Sequence, residues 1–414
     1  MNSQSRIDKY ALGLALLLAV VFGGGSMSGL FIDAMLMLFV VGACTLALTK
    51  TESNTRVRHL TALAFLPVAI VAFQFIPLPT SLLNSTQHIL PPNVTELLTS
   101  SWRTTTLNTE HTVFTLVWVS VAAFLFFTLS SMHPDKLYGL LPFVLVGVLC
   151  NIAVAFFQFL SSSQAITKPA IGYDIVAGFF SNPNHFSSLI VMALPVFFFY
   201  LGHNRQRMAA IALLVVSVFI LFAAGSRAGV ISAFIVIFLS IALLLRESIK
   251  SATALLFTGL AAIPIAIFVG LRFESEGFSD VNRLKFSTQT FHNAIDNLPF
   301  GIGYGNFADG YARYEGAENI FAKFVNHAHN EYVELLFEGG IPFVIVFLIC
   351  IFALIQRIVK TVADPMSNAV SISIFFIMMH SLVDYPLRTF SVSCFFILCL
   401  AMLFNPRQHG GRQH

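Results

Sequence analysis

Two histidines, His327 and His329, stand in the stretch VNHAHNEYVELLFEGG (325–340) with Asn326, Asn330 and the glutamates Glu331, Glu334 and Glu338. Imidazoles beside carboxylates are the groups that move protons near neutral pH. The spacing predicts a helix from His327 to Glu338, capped by Asn326, ended by Gly339-Gly340 and followed by a new helix opening at Pro342. On that helix His327, Glu331, Glu334 and Glu338 share one polar face, so it is amphipathic and suits a membrane surface. His329 then falls in the first turn, where the positive end of the helix dipole disfavours an imidazolium. A neutral imidazole is what a general base requires. The alternative is a capping cluster in which His327 and Asn330 only satisfy backbone groups. Zinc binding by His327-Ala-His329 fits poorly, because helical geometry points the rings about 200° apart and no HExxH pattern is present.

Three arginines come next. Arg227, in AAGSRAGV, interrupts a long uncharged run. An arginine near a membrane span is costly and points to function. Guanidinium grips phosphate oxygens in pairs, so anion binding is the expectation there. Arg283 lies upstream of PFGIGYGNF (299–307), where Gly301, Gly303 and Gly305 surround Tyr304. This run follows no strand, so it is no nucleotide fingerprint; a tight turn beside the site is expected, with Tyr304 among the substrate-binding residues. Arg388 follows Asp384 by four residues. An ion pair tying two helix ends and a contact with substrate are both open for it. In GFFSNPNHFSSLI (178–190) Asn182-Pro183 signals a turn. Asn184 and His185 read either as polar caps of a helix start or as a wall facing sugar or phosphate. No Asp-x-Asp pair is present to hold a metal diphosphate, and Glu274-Ser-Glu276, the nearest substitute, reads as a solvated loop. No metal site and no cofactor are expected.

The elements that must position these groups lie in a membrane. The chain has 414 residues, 57% of them apolar and 10% charged, where a soluble domain carries about 25% charged residues. The fold class expected is all-α: a polytopic helix bundle in a lipid bilayer. A net charge of +3 argues against a nucleic-acid partner. The five cysteines fall inside apolar runs, as packing residues do. A spanning helix needs about 20 apolar residues. Twelve runs qualify, at 10–26, 30–49, 60–78, 112–131, 138–160, 185–201, 208–224, 229–245, 252–271, 340–356, 368–385 and 389–404. The first is expected to be a retained helix rather than a cleaved leader. With both termini inside, every short inner loop is basic, as the positive-inside rule asks. The segments 79–111, 161–184 and 272–339 are then long and outside. Residues 1–271 carry nine spans, 272–339 form a large outer (periplasmic) loop with amphipathic helices and the catalytic motif, and 340–414 hold three spans and an inner tail. Asn84-Ser-Thr86 and Asn93-Val-Thr95 match glycosylation acceptors, a pattern common by chance. A secondary transporter or a flippase for lipid-linked glycans is compatible with such a span count. Against them, polar residues cluster on one face and no paired broken helices repeat in two halves.

SNPNH, GSRAG, NRLKF…LPFGIGYGNF and HAHNEYVELLFEGGIPF on such a chain resemble the bacterial O-antigen ligase and polymerase superfamily, over roughly residues 178–345. The resemblance implies a C-type membrane glycosyltransferase in the bacterial inner membrane, its active site facing the periplasm. It implies a glycan donor on undecaprenyl diphosphate and, as acceptor, a lipid A core, another glycan or a protein hydroxyl. Carried over by motif, His329 matches the catalytic histidine, Arg227 an arginine of a short outer loop, and Arg283 an arginine opening the helix before the glycine turn. The reaction implied is inverting and metal-independent, with His329 as base and the arginines on the diphosphate. His327, Asn330, Asn184, His185, Tyr304 and Arg388 complete the expected substrate-binding set.

Overall fold

The computed structural model describes residues 3–27, 29–48, 58–83, 101–161, 176–245, 281–315 and 325–407. Its helices are α1 (Ser3–Phe22), α2 (Phe31–Leu48), α3 (Arg58–Phe73), α4 (Thr109–Ser131), α5 (Pro134–Tyr138), α6 (Leu141–Leu160), α7 (Pro183–His203), α8 (Arg207–Ala223), α9 (Arg227–Leu245), α10 (Val281–Asp296), α11 (Phe307–Tyr314), α12 (Glu331–Thr361), α13 (Pro365–His380) and α14 (Phe390–Phe404). The described strands are a two-residue antiparallel pair, Leu78–Pro79 against Trp102–Arg103. Every expected apolar run falls on a helix except 252–271, which lies outside the described residues along with Glu274, Glu276 and both glycosylation patterns. Among the described residues five helical stretches are long and apolar enough to cross a membrane: α2, α4, α5–α6, α7 and α12. This establishes a polytopic all-helical protein rather than a particular number of spans.

Local chemistry starts the helices. Asn182 accepts from the Asn184 amide and is followed by Pro183, and Asp364 accepts from Ser367 N before Pro365. Both are an Asx cap with proline in the first turn. The division near Gly225 is real: α8 ends at Ala223, Gly225 has φ +68°, and α9 begins at Arg227.

The bundle is built around α7. Its apolar window is 83% buried, against 6% for that of α12, so α7 is central and α12 peripheral. α7 packs on α8, α9 and α13, and α1 packs on α2, α6 and α14. Gly147 lets α6 approach α1 closely, since a Cβ there would lie 2.8 Å from Val20. Two buried amides on α6 set where α7 begins. Asn151 donates to Val20 O and accepts from Phe179 N, and Gln158 accepts from Ala177 N and Gly178 N.

A second, smaller core lies beside the bundle. Ala294, Ile302, Phe307, Tyr311, Ala328 and Phe337 join α10, α11, the glycine turn and the start of α12. The turn is pinned from several sides. Gln74, 2% exposed, donates to Glu338 O and accepts from Tyr304 N. Asn306 donates to Thr106 and Thr112, and Glu338 Oε1 accepts from Gly305 N and Phe307 N. Gly301, Gly303 and Gly305 all take positive φ, which glycine alone adopts freely.

The turn packs beneath the break in α12. The chain kinks at Gly340 (φ 59°, ψ −147°), where the Gly-Gly hinge was expected. The Ile341 amide that the kink frees donates instead to Pro299 O at 2.8 Å. A Cβ on Gly340 would lie 2.2 Å from Pro299 O, and its dihedrals are close to glycine-only territory. Gly340→Ala is therefore expected to destabilise the protein by about 2 kcal/mol or more, read as a lowered thermal midpoint. Gly42→Ala is the control: its Cβ would meet nothing within 4 Å, so helix propensity predicts a neutral or slightly stabilising change. Equal midpoints for the two variants would refute this account of the hinge.

Candidate active site

Asp384 is the hub of the polar cluster, and it lies between α13 and α14. Its side chain is fully buried. Oδ2 accepts from Asn184 Nδ2 at 2.9 Å and from Arg283 Nη1 at 3.2 Å, and Oδ1 accepts from the Tyr385 amide at 3.0 Å. His185 Nε2 and His329 Nδ1 each stand 3.5 Å from Oδ1. That is longer than a formed hydrogen bond, and catalytic contacts often tighten only with substrate present. Burial alone would raise the pKa of Asp384. Contacts from His185 and His329 and the charge of Arg283 outweigh burial and hold the carboxylate well below its usual range.

The Tyr385 ring lies among three imidazoles. Its centroid is 4.6 Å from His185, 4.0 Å from His327 and 5.2 Å from His329. Burial, and then the Asp384 charge, push the phenol up to about 12, so it stays protonated. His329 also stacks on Phe286 of α10. It retains 17% side-chain exposure, while Nδ1 is buried. The arrangement can hold one imidazole nitrogen against a fixed anion and leave the rest of the ring near solvent, as a carboxylate-oriented base requires.

Arg227 opens α9 and is exposed. Its neighbour Ser226 donates to Asn184 Oδ1 at 2.9 Å, and the same Asn184 donates to Asp384. Arg283, His329 and the turn that carries Arg227 therefore lie at one end of the bundle, linked through Asp384. Arg283, in the first turn of α10, also donates to Val383 O.

Several sequence expectations need correction. The helix does not run from His327, and Asn326 is not its cap. Asn330 is the cap, accepting from Tyr332 N and Val333 N, and α12 starts at Glu331. His329 is therefore not in a first helical turn. It precedes the cap with φ +53°, an uncommon value for a side-chain-bearing residue. The cause is Glu334, whose carboxylate reaches back to His327 Nδ1 at 2.8 Å and Ala328 N at 2.9 Å, holding both outside the helix. The Asp384–Arg388 pair does not form. Arg388 binds Glu334 at 3.2 Å and Glu338 at 3.1 Å, while Asp384 takes Arg283. Burial would lower the Arg388 pKa, but Glu338, Glu334 and Glu331 raise it above its ordinary value.

The remaining expected residues are also placed. Asn184 and His185 brace the hub rather than face open space. Tyr304 is 4% exposed beneath α12, its hydroxyl against Gly339. Burial, and then Glu338, push its phenol well up. The sequence points to neither Tyr385 nor Gln74, to Asp384 only as a partner for Arg388, and to Glu334 only as part of a polar helix face.

A family model described as O-antigen ligase matches residues 212–348, a span that includes Arg227, Arg283, the glycine turn and His329. The teichuronic acid biosynthesis protein TuaE of Bacillus subtilis (strain 168) is 26% identical over 206 residues, covering 44% of this chain and 41% of that protein. The match thus spans about two fifths of the curated relative's length. By its motifs, by the matched segment and by this relative, the chain is similar to the O-antigen ligase superfamily of membrane proteins.

Proposed function

We propose that this protein is a membrane glycosyltransferase of the O-antigen ligase or polymerase type. It takes a glycan from an undecaprenyl-diphosphate carrier and passes it to an acceptor hydroxyl on the outer face of the bacterial inner membrane. The observation that carries the proposal is the shared carboxylate. Asp384 contacts His329 and Arg283 directly and reaches the Arg227 turn through Asn184 and Ser226. A base and an anion clamp built on one anchor match a reaction in which a proton leaves as a diphosphate departs.

In this reading the acceptor oxygen bonds to the anomeric carbon while the carbon–oxygen bond to the diphosphate breaks. The bonding pair leaves with the diphosphate, and Arg227 and Arg283 stabilise its growing charge. The acceptor proton passes to His329, which Asp384 orients. Attack opposite the leaving group inverts the anomeric centre. The matched relative is named for teichuronic acid biosynthesis, which favours a role in polysaccharide assembly here.

The test uses purified full-length protein, a lipid-diphosphate oligosaccharide and candidate glycan, lipid and protein acceptors, with and without chelator. Transfer is expected in chelator and is expected to fall at least a hundredfold in Arg227→Ala. A ladder of repeats would identify a polymerase and a single added glycan a ligase. Unimpaired transfer in Arg227→Ala, or loss of transfer in chelator, would overturn the mechanism.

A further inference from the structure

A cavity of about 570 Å³ lies at the end of the bundle away from Asp384. α7 runs from Asn184 and His185 to His203, α13 rises from Pro365 to His380, and α14 returns from Phe390 to Phe404. Their far ends meet at this cavity, about 30 Å from the hub at 1.5 Å per helical residue.

The lining is divided by polarity. Phe198, Phe199, Ile211 and Met366 supply apolar wall, and Arg207 and Arg407 supply charge. Arg407 is held in place: Nε donates to Asp135 at 2.7 Å, and the guanidinium lies 5.0 Å over the Tyr138 ring. Arg207 is exposed at the first residue of α8, where unpaired backbone amides also favour an anion. Two carboxylates, Asp135 and Asp364, lie among these cations, and Asp364 lines the cavity itself. Asp135 binds Arg407, and Asp364 accepts from the Ser367 amide and hydroxyl. Arg205 and Lys136 on the adjoining turns leave the rim cationic. From the cavity a track of exposed apolar side chains continues along α8: Met208 (78%), Ile211 (49%), Val215 (60%) and Phe219 (43%). Their spacing puts them on one helix face.

A cationic mouth, an apolar wall and an apolar track leading away along a helix match a molecule with an anionic head and a long tail. We propose that this cavity binds an anionic glycerophospholipid, its phosphate on Arg207 and Arg407 and one acyl chain along the Met208–Phe219 face of α8.

The experiment is native mass spectrometry of the full-length protein released from detergent, titrated separately with phosphatidylglycerol, phosphatidylcholine and inorganic phosphate. Phosphatidylglycerol is expected to be retained, phosphatidylcholine to bind at least tenfold more weakly, and inorganic phosphate not to displace the bound lipid. Arg207→Gln should weaken phosphatidylglycerol about fivefold, the increment of one basic residue near a charged headgroup, and Arg407→Gln should weaken it further. Because Arg407 also ties down Asp135, a second variant guards against misfolding. Gly202 lines the cavity and a Cβ there would meet nothing within 4 Å, so Gly202→Leu should fold and exclude the lipid by filling its space. Equal binding of the two lipids, displacement by inorganic phosphate, or unchanged binding in Arg207→Gln or Gly202→Leu would overturn the proposal.

Discussion

His329→Ala is expected to lower glycan transfer by about 10²–10⁴-fold, the range for losing a positioned general base, and Asp384→Asn to lower it by a comparable factor. The double variant should be little worse than either single one, because the two groups act as one unit. Asn at 384 keeps the side chain's size, and its one carbonyl oxygen can accept from either Asn184 or the Tyr385 amide. What it removes is the anion 3.5 Å from the His329 ring and the counter-charge of Arg283. Arg283 keeps 32% side-chain exposure, so water can reach it and the fold should survive, as circular dichroism would check. Asp384→Glu, which restores the charge at a shifted position, should recover part of the rate. Multiplicative losses in the double variant would mean that His329 and Asp384 serve separate steps.

The largest stability effect is expected at Arg388. Its guanidinium lies between Glu334 and Glu338, whose side chains are each 1% exposed. Arg388→Met leaves two buried carboxylates facing each other without the guanidinium that bridges them. Removing one partner from a buried ionic cluster costs about 3–5 kcal/mol, so the thermal midpoint should fall steeply. Adding Glu338→Gln should restore much of the loss: it removes one of the two charges, and its amide oxygen can still accept from Gly305 N and Phe307 N. A midpoint unchanged in Arg388→Met would show that the cluster is solvated. A role for Arg388 at the substrate would instead reduce transfer while leaving the midpoint alone.

Much of the frame was legible in the residues. The apolar runs named the helices because a helix in lipid must be apolar along its whole length. Asn182-Pro183, the Gly-Gly hinge and the three-glycine turn were readable because caps, kinks and positive φ are local demands on residue type. The choice of cap was harder. Asn326 and Asn330 are equally good caps by type, and only Glu334, reaching back to His327 and Ala328, decides between them.

Asp384 carried a signal that a nearer pairing explained away. It falls inside the expected span 368–385, and a carboxylate in an apolar run suggests function. Arg388, four residues on, looked like a sufficient partner. The turn after His380 and the short 3₁₀ helix at Pro386–Arg388 point the two side chains apart, toward different partners.

By itself, then, the sequence determined the helical, membrane-embedded class, several of the helix starts and breaks, and which histidine and arginines deserved attention. Each of these follows from composition or from neighbours within a few residues. The tertiary structure alone decided which groups meet. Asp384 joins Asn184, 200 positions away, and Arg283, 101 positions away, while Gln74 closes on the glycine turn from 230 positions away. Such meetings depend on how whole helices stack and in what register, and no local spacing encodes them.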